Sequence, residues 1–361
     1  MIDFQPTDEQ QLVIDTVRNF AANEIRPKAR ECDESKKLPE KVIEQAHELG
    51  LVANALPESA GGGGERSAVT GVLVAEELAV GDLGIALAIL SPALCAFPIA
   101  EFGTEEQKEG LSRFVGTRFV PGSLAWVEPR FDSDPFRPKT TARRDGSDYV
   151  LDGAKCFVPW IDGADPVLVV AAENGTPQAF LVPRNAAGLT AEPERNMGVL
   201  ALPTAELKLT GVRVPAAAKL GGDNGADLRR VLNQGRVALA AMAVGVARAA
   251  FEVARDYAKE RQVFGAPVAT KQAIAFKLAD MAIEIDAARL LAWEAAWKLD
   301  RGEDATREAL LAKRQSQRIA LDVADGAVQV FGGHGYIRDY LPEMHLRNAR
   351  GFASFEALAL V

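Results

Sequence analysis

Hydrophobic positions recur with a helical period at both ends of the chain and with a partial period of two in between. Near the start, Leu12, Val13, Val17 and Phe20 fall on one helical face, and Thr7 with Gln10 ahead of them forms a capping box. Pro27 is expected near the end of that helix. Residues 39–49 predict a second short helix closed by Gly50, and residues 61–64, four glycines, predict a flexible loop. Helical patterns resume over 67–78 and 83–102, and Thr104 with Gln107 starts another short helix. From about residue 118 to 220, Pro, Gly and β-branched residues become frequent. Residues 149–151, 167–171, 179–182 and 206–209 read as strands between turn signals, and Leu207, Leu209, Val212 and Val214 partly alternate. Beyond Asp223 the chain is Ala-rich and helical again, in stretches over about 225–260, 271–301 and 303–330. The loops RQVFGAP, DRGED and FGGHGY punctuate this last part.

The order helical, β, helical predicts an α+β protein with a β module between two helical parts. A chain of 361 residues exceeds what one hydrophobic core usually serves. The expected division is a helical domain over 1–117, a β domain over 118–222 and a helical bundle over 223–361, whose Ala-rich faces allow close packing. A net charge of -9 argues against nonspecific nucleic-acid binding, which relies on many cation–phosphate contacts. Cys32, Cys95 and Cys156 form no CxxC pair and no metal-ligand spacing, so reduced thiols in a cytoplasmic protein without a metal site are expected. The start, MIDFQPTDEQQ, lacks the apolar run of a signal peptide. No apolar run is expected to span a bilayer.

The motifs RQVFG (261–265), TKQAIAFKLADMAIEIDAAR (270–289) and QVFGGHGYIRDYLPEMHLRNAR (329–350) resemble the C-terminal four-helix bundle of acyl-CoA dehydrogenases. PESAGGGG (57–64) and AEELAVGD (75–82) are similar to the family's N-terminal helical domain. WVEPRFDSD (126–134), LDGAKCFVPW (151–160) and TGVRVP (210–215) fall where its β domain has signatures. The resemblance implies the family's fold and FAD-dependent α,β-dehydrogenation of an acyl-CoA. In that reaction a carboxylate takes the α-proton, the β-hydrogen leaves as hydride to the flavin, and hydrogen bonds stabilise the forming enolate. It places the base on Glu356. The alternative base position of some members is Gly235 here, so that placement is closed. Arg261 and Phe264 fall on contacts to the flavin diphosphate of a neighbouring subunit. Gln329, Gly332 and Gly333 approach the same cofactor, and Gln272 lies near it. Phe157 and Val127 fall on contacts to the chain's own flavin ring. Ser133, Asn233 and Arg236 border the acyl-CoA pocket. An oligomer and an electron-transfer flavoprotein as redox partner are implied.

Departures from the family's pattern cluster on one side. Val127 stands where the family commonly has Thr, and Arg130, Phe131 and Asp132 replace a Gly-rich stretch. Phe157, Val158 and Pro159 replace Trp-Ile-Thr, and Pro159 lacks both a hydroxyl and an amide donor. Ala357 and Leu358 follow Glu356 in place of Gly-Thr. Residues implied to serve a neighbour's FAD match the family, and those implied to hold the chain's own flavin ring diverge. Two readings follow. Either the chain is an acyl-CoA dehydrogenase with its own active site, or it is a non-catalytic partner that completes the FAD site of a paralogous subunit in a heteromer. A helical scaffold that binds neither ligand is a third.

Overall fold

The computed structural model describes residues 4–64 and 66–361. Thr7 caps α1 (Asp8–Phe20): its hydroxyl accepts from the Gln10 amide, and the Gln10 side chain accepts from the Thr7 amide. Helical backbone continues past Phe20, through a short turn that holds Pro27, into α2 (Ala29–Ser35). The proline therefore sits inside a winding helical run. After α3 (Glu40–Glu48) comes Gly50, with φ of +68°. The glycines at 61–64 form a packed turn where the sequence suggested a flexible loop. The Gly64 amide donates to Leu56 O at 2.8 Å, and a Cβ on Gly62 would stand 2.2 Å from that same oxygen. Close backbone approach explains glycine there.

Ser67 caps α4 (Ala68–Gly81) and Asp82 caps α5 (Leu83–Ile89). The helix expected over 83–102 is two helices. Pro92 has no amide to donate, and α6 (Ala93–Phe102) starts directly after it. A second capping box, Thr104 with Gln107, opens α7 (Glu105–Glu109).

The sheet has seven strands. They are β1 (Ser123–Ala125), β2 (Thr141–Asp145), β3 (Asp148–Pro159), β4 (Val167–Glu173), β5 (Thr176–Val182), β6 (Leu189–Pro193) and β7 (Thr204–Pro215). The order is β1-β4-β2-β3-β7-β6, with β5 also paired to β4. Alternation divides the side chains. Leu124, Trp126, Leu168 and Val170 join the helical core, whereas Ala125, Val167, Val169 and Ala171 pack in a separate core with Tyr149, Leu151 and Phe180. The long β3–β7 pairing slips in register between Lys155 and Val158, and this bulge re-aims Phe157.

The last part is built on α8 (Leu228–Glu260), a helix of 33 residues and so about 50 Å long. Asp227 caps it. A hairpin of β8 (Gln262–Val263) and β9 (Ala266–Pro267) leads to α9 (Gln272–Asp300), followed by α10 (Thr306–Phe331) and α11 (Pro342–Gly351). Gly245 lets α8 approach α4; a Cβ there would meet Glu76 O at 2.4 Å. Among the described residues, two stretches, Leu83–Phe102 and α8, are long and apolar enough to cross a bilayer by composition, which corrects the expectation of none. Their most apolar windows are 94% and 78% buried inside the protein, so they are core helices here.

Candidate active site

Glu356 is set by its flanks. Phe352 and Phe355 are both buried, with ring centroids 6.1 Å apart, and anchor the chain just before it. Gly351 leaves room for them: a Cβ there would stand 2.4 Å from the Phe355 ring. Just after it, Ala357 has φ of +49° and packs against Gly235 of α8. The Glu356 carboxylate meets two cations. Lys313 Nζ of α10 lies 3.1 Å from Oε1, and Arg236 Nε of α8 lies 3.5 Å from Oε2. Both cations are 8% exposed and Glu356 is 21% exposed. Burial pulls the Lys313 pKa below its ordinary value, and Glu356 opposes that pull. Among the described residues, neither Glu356 Oε2 nor Arg236 Nε has a hydrogen-bond partner. One turn before Arg236, Asn233 donates to Thr306 Oγ1 at 3.0 Å, while its own Oδ1 is unpaired. The structure thus brings Glu356, Arg236 and the Asn233 turn together and adds Lys313, which the sequence reading did not name.

Phe157 connects this cluster to the sheet. Its φ is +53°, its amide donates to Glu194 Oε1 at 3.0 Å, and its ring stands edge-on to Phe355 with centroids 5.8 Å apart. Val127 O accepts from the Cys156 amide at 2.9 Å. Between these segments Lys155, fully buried, donates to Trp126 O at 3.0 Å and to Glu128 Oε1 at 3.2 Å. Burial pulls the Lys155 pKa down to about 8 against the pull of Glu128. Burial would raise the Glu128 carboxyl, but Lys155 and the bonds from Thr140 and Lys139 hold it below its ordinary value. Ser133 Oγ accepts from the Glu128 amide at 3.3 Å, the local role expected of a serine in a turn.

A second set of candidates forms an exposed face. Arg261 ends α8, and its guanidinium makes no ion pair or hydrogen bond among the described residues. Phe264, in the hairpin after it, has φ of +55° and is 94% exposed. One turn before Arg261, Tyr257 stacks on Phe331 with centroids 3.9 Å apart and bonds His334 at 2.9 Å. That contact brings the end of α8 beside Gln329, Gly332 and Gly333. Both glycines face open space, and Gly332 has φ of +59°. Gln272, exposed, opens α9. This face is remote from Glu356. Lys313 and Gln329 are about 24 Å apart along α10, and Arg236 and Arg261 about 38 Å apart along α8, at 1.5 Å per residue.

Models of three family domains match the chain. "Acyl-CoA dehydrogenase, N-terminal domain" covers residues 7–113, "Acyl-CoA dehydrogenase, middle domain" 123–212 and "Acyl-CoA dehydrogenase, C-terminal domain" 225–356. A probable acyl-CoA dehydrogenase of Bacillus subtilis (strain 168) is 38% identical over 360 residues, covering 97% of this chain and 94% of its own. The mitochondrial short-chain specific acyl-CoA dehydrogenase of Bos taurus is 35% identical over 354 residues, covering 95% and 85%. Among solved structures, butyryl-CoA dehydrogenase of Megasphaera elsdenii superposes with a TM-score of 0.89 at 34% identity, covering 98% of this chain and 96% of that one.

Proposed function

The chain belongs to the acyl-CoA dehydrogenase family, and from that membership we propose that it performs FAD-dependent α,β-dehydrogenation of an acyl-CoA thioester with Glu356 as the base. The observation that carries this reading is the buried Glu356 Oε2, which accepts no hydrogen bond among the described residues. Oε2 takes the α-proton of the thioester, while Lys313 holds Oε1 and fixes the carboxylate's orientation. Arg236, whose Nε lies 3.5 Å from Oε2 without a hydrogen bond, supplies positive charge beside the place where the enolate forms. Ser133 and Asn233 border the same substrate. FAD, when bound, accepts the β-hydrogen together with its electron pair.

The donor chemistry fits FAD unevenly. The exposed face offers a free guanidinium at Arg261, amide side chains at Gln272 and Gln329, and open backbone at Gly332 and Gly333, which suits a diphosphate and its adenosine. As the family resemblance implies, this face would serve the cofactor of a neighbouring subunit, a reading that its distance from Glu356 along α8 and α10 supports, and the proposed working unit is an oligomer. On the ring side, Phe157 and Phe355 offer aromatic walls, but the Phe157 amide is taken by Glu194 and Pro159 has none. That deficit favours a second reading, in which this chain completes the FAD site of a paralogous subunit in a heteromer. An electron-transfer flavoprotein is the proposed redox partner, and the cytoplasm and lipid metabolism the proposed setting.

The test is an absorption spectrum with flavin counted per chain, on the protein alone and coexpressed with a paralogue, followed by anaerobic addition of acyl-CoA. One flavin per chain and bleaching of the protein alone support the first reading. One flavin per two chains, and only in the coexpressed assembly, supports the second. No flavin in either assembly overturns both.

A further inference from the structure

The chain itself fills the interior beside Glu356. Residues 357–361 follow the proposed base directly, and Leu358, Ala359, Leu360 and Val361 are 2%, 0%, 2% and 3% exposed. Two glycines clear their path. A Cβ on Gly235 of α8 would stand 3.0 Å from Ala357 Cα, and one on Gly71 of α4 would stand 2.8 Å from Val361 Cβ. The segment therefore crosses from α8 to α4, turned inward at Ala357 by its left-handed backbone. At the far side Arg66 donates to Val361 O at 2.5 Å and to Glu101 of α6 at 3.2 Å, with its guanidinium 4.0 Å from the Phe97 ring centroid. Glu101 is in turn bonded by Arg230 and Gln234 of α8. α4, α6 and α8 thus enclose the segment. Leu360 and Val361 form one wall of a cavity of about 570 Å³ whose other walls include Val13, Leu51, Val74 and Ala93.

We propose that residues 357–361 set the acyl-length limit of this site, by filling the apolar interior between α8 and α4 that separates the Glu356 carboxylate from that cavity. The substrate class is then a CoA thioester with a short acyl group. This inference rests on Glu356 lying at an acyl-CoA site. In an open apolar channel each added methylene leaves water and raises affinity about fourfold. In a filled channel the added methylenes find no dry space, and the increment is absent. Leu358 and Leu360 are the bulky occupants. Shortening either to alanine opens space between the base and the cavity.

The experiment is calorimetric titration of the purified oligomer with butanoyl-, hexanoyl- and octanoyl-CoA, with CoA alone as the control. The wild-type protein is expected to bind octanoyl-CoA no more than about threefold tighter than butanoyl-CoA, well short of the increment of an open channel. Leu358→Ala and Leu360→Ala are expected to bind octanoyl-CoA at least about tenfold tighter than butanoyl-CoA. A wild-type affinity that climbs about fourfold per methylene overturns the inference, and this arm stands even where neither variant folds. Folded variants that keep the wild-type profile overturn it too. If no thioester binds more tightly than CoA alone, the acyl-CoA site at Glu356 is itself refuted, and the limit falls with it.

Discussion

Lys313 Nζ on α10 lies 3.1 Å from Glu356 Oε1, across 43 residues of sequence. The pair ties the segment after α11 to the bundle. Removing one partner leaves a largely buried charge with less compensation. Lys313→Met is expected to lower stability by about 2 kcal/mol, below the usual figure for a fully buried pair because Glu356 keeps some contact with water. Lys313→Arg should lose less, since the charge is retained. Urea unfolding of the two variants against wild type checks this, and an unchanged midpoint for Lys313→Met would show the pair to be idle.

Glu356→Gln keeps the shape of the side chain and removes the base. If the chain runs its own chemistry, flavin bleaching by a matched acyl-CoA should slow by about 10² to 10⁴-fold while thioester binding persists. If the chain is a partner subunit, turnover of the complete heteromer should stay within a few-fold. A stopped-flow trace of the homomeric variant that overlays wild type would falsify the catalytic assignment.

Arg261 has a free guanidinium on an exposed face, so its loss should cost little folding stability. Arg261→Ala should weaken cofactor retention by about 2 kcal/mol, roughly thirtyfold in affinity, and Arg261→Lys should restore part of it because lysine lacks the planar fork. Flavin occupancy after dilution and gel filtration is the measurement. Equal occupancy in wild type and Arg261→Ala counts against the assignment.

What the sequence revealed and what it hid have physical reasons. Both capping boxes were legible because their bonds are local, three residues apart. The long helices of the bundle were legible from their periodicity. Three strands of the seven-stranded sheet were not. β1 has only three residues, all buried; β2 reads TARRD, with Arg143 and Arg144 both exposed; and β6 ends in Pro193 with little burial. Lys313 was invisible because its partner lies 43 residues away. A signal did exist: Ala309, Ala312, Lys313, Ser316 and Ala320 share the buried face of α10, and a lysine on such a face requires a partner. Lys155 had the same signature among the apolar residues of β3. The filling of the interior by residues 357–361 could not be read at all, since it depends on gaps at Gly71 and Gly235 in two distant helices.

Phe276, Ile283 and Leu290 lie seven residues apart on α9 and are 62%, 66% and 42% exposed. That spacing puts them on one helical face, and an apolar stripe of this kind marks an interface. The protein is expected to be a dimer or a dimer of dimers. Ile283→Lys should shift it toward monomer and lower flavin content with it. Size exclusion with light scattering reads the mass, and a folded, flavin-loaded wild-type monomer would refute the interface.

His345 on α11 carries an acid sensitivity of the fold. Its ring is 5% exposed, and burial, then Arg26 and Arg30, push its pKa down to about 4, with Glu343 opposing. The unfolded chain takes up the proton near the ordinary 6.5, while the folded protein stays neutral until about 4. The contribution to stability is therefore complete above pH 6.5 and is lost as pH falls toward 4. Between pH 7 and pH 5 the loss should be about 2 kcal/mol. Asp82 works in the opposite direction over the same range. Burial raises its carboxyl to about 6, so the fold gains from its protonation as pH falls. The wild-type slope alone thus understates His345. The informative quantity is the difference between wild type and His345→Gln, because Asp82 is present in both and glutamine does not titrate. The variant should lose about 2 kcal/mol less than wild type between pH 7 and pH 5 in urea unfolding. Parallel pH profiles for the two proteins would mean that the His345 ring is protonated in the fold as readily as in the unfolded chain.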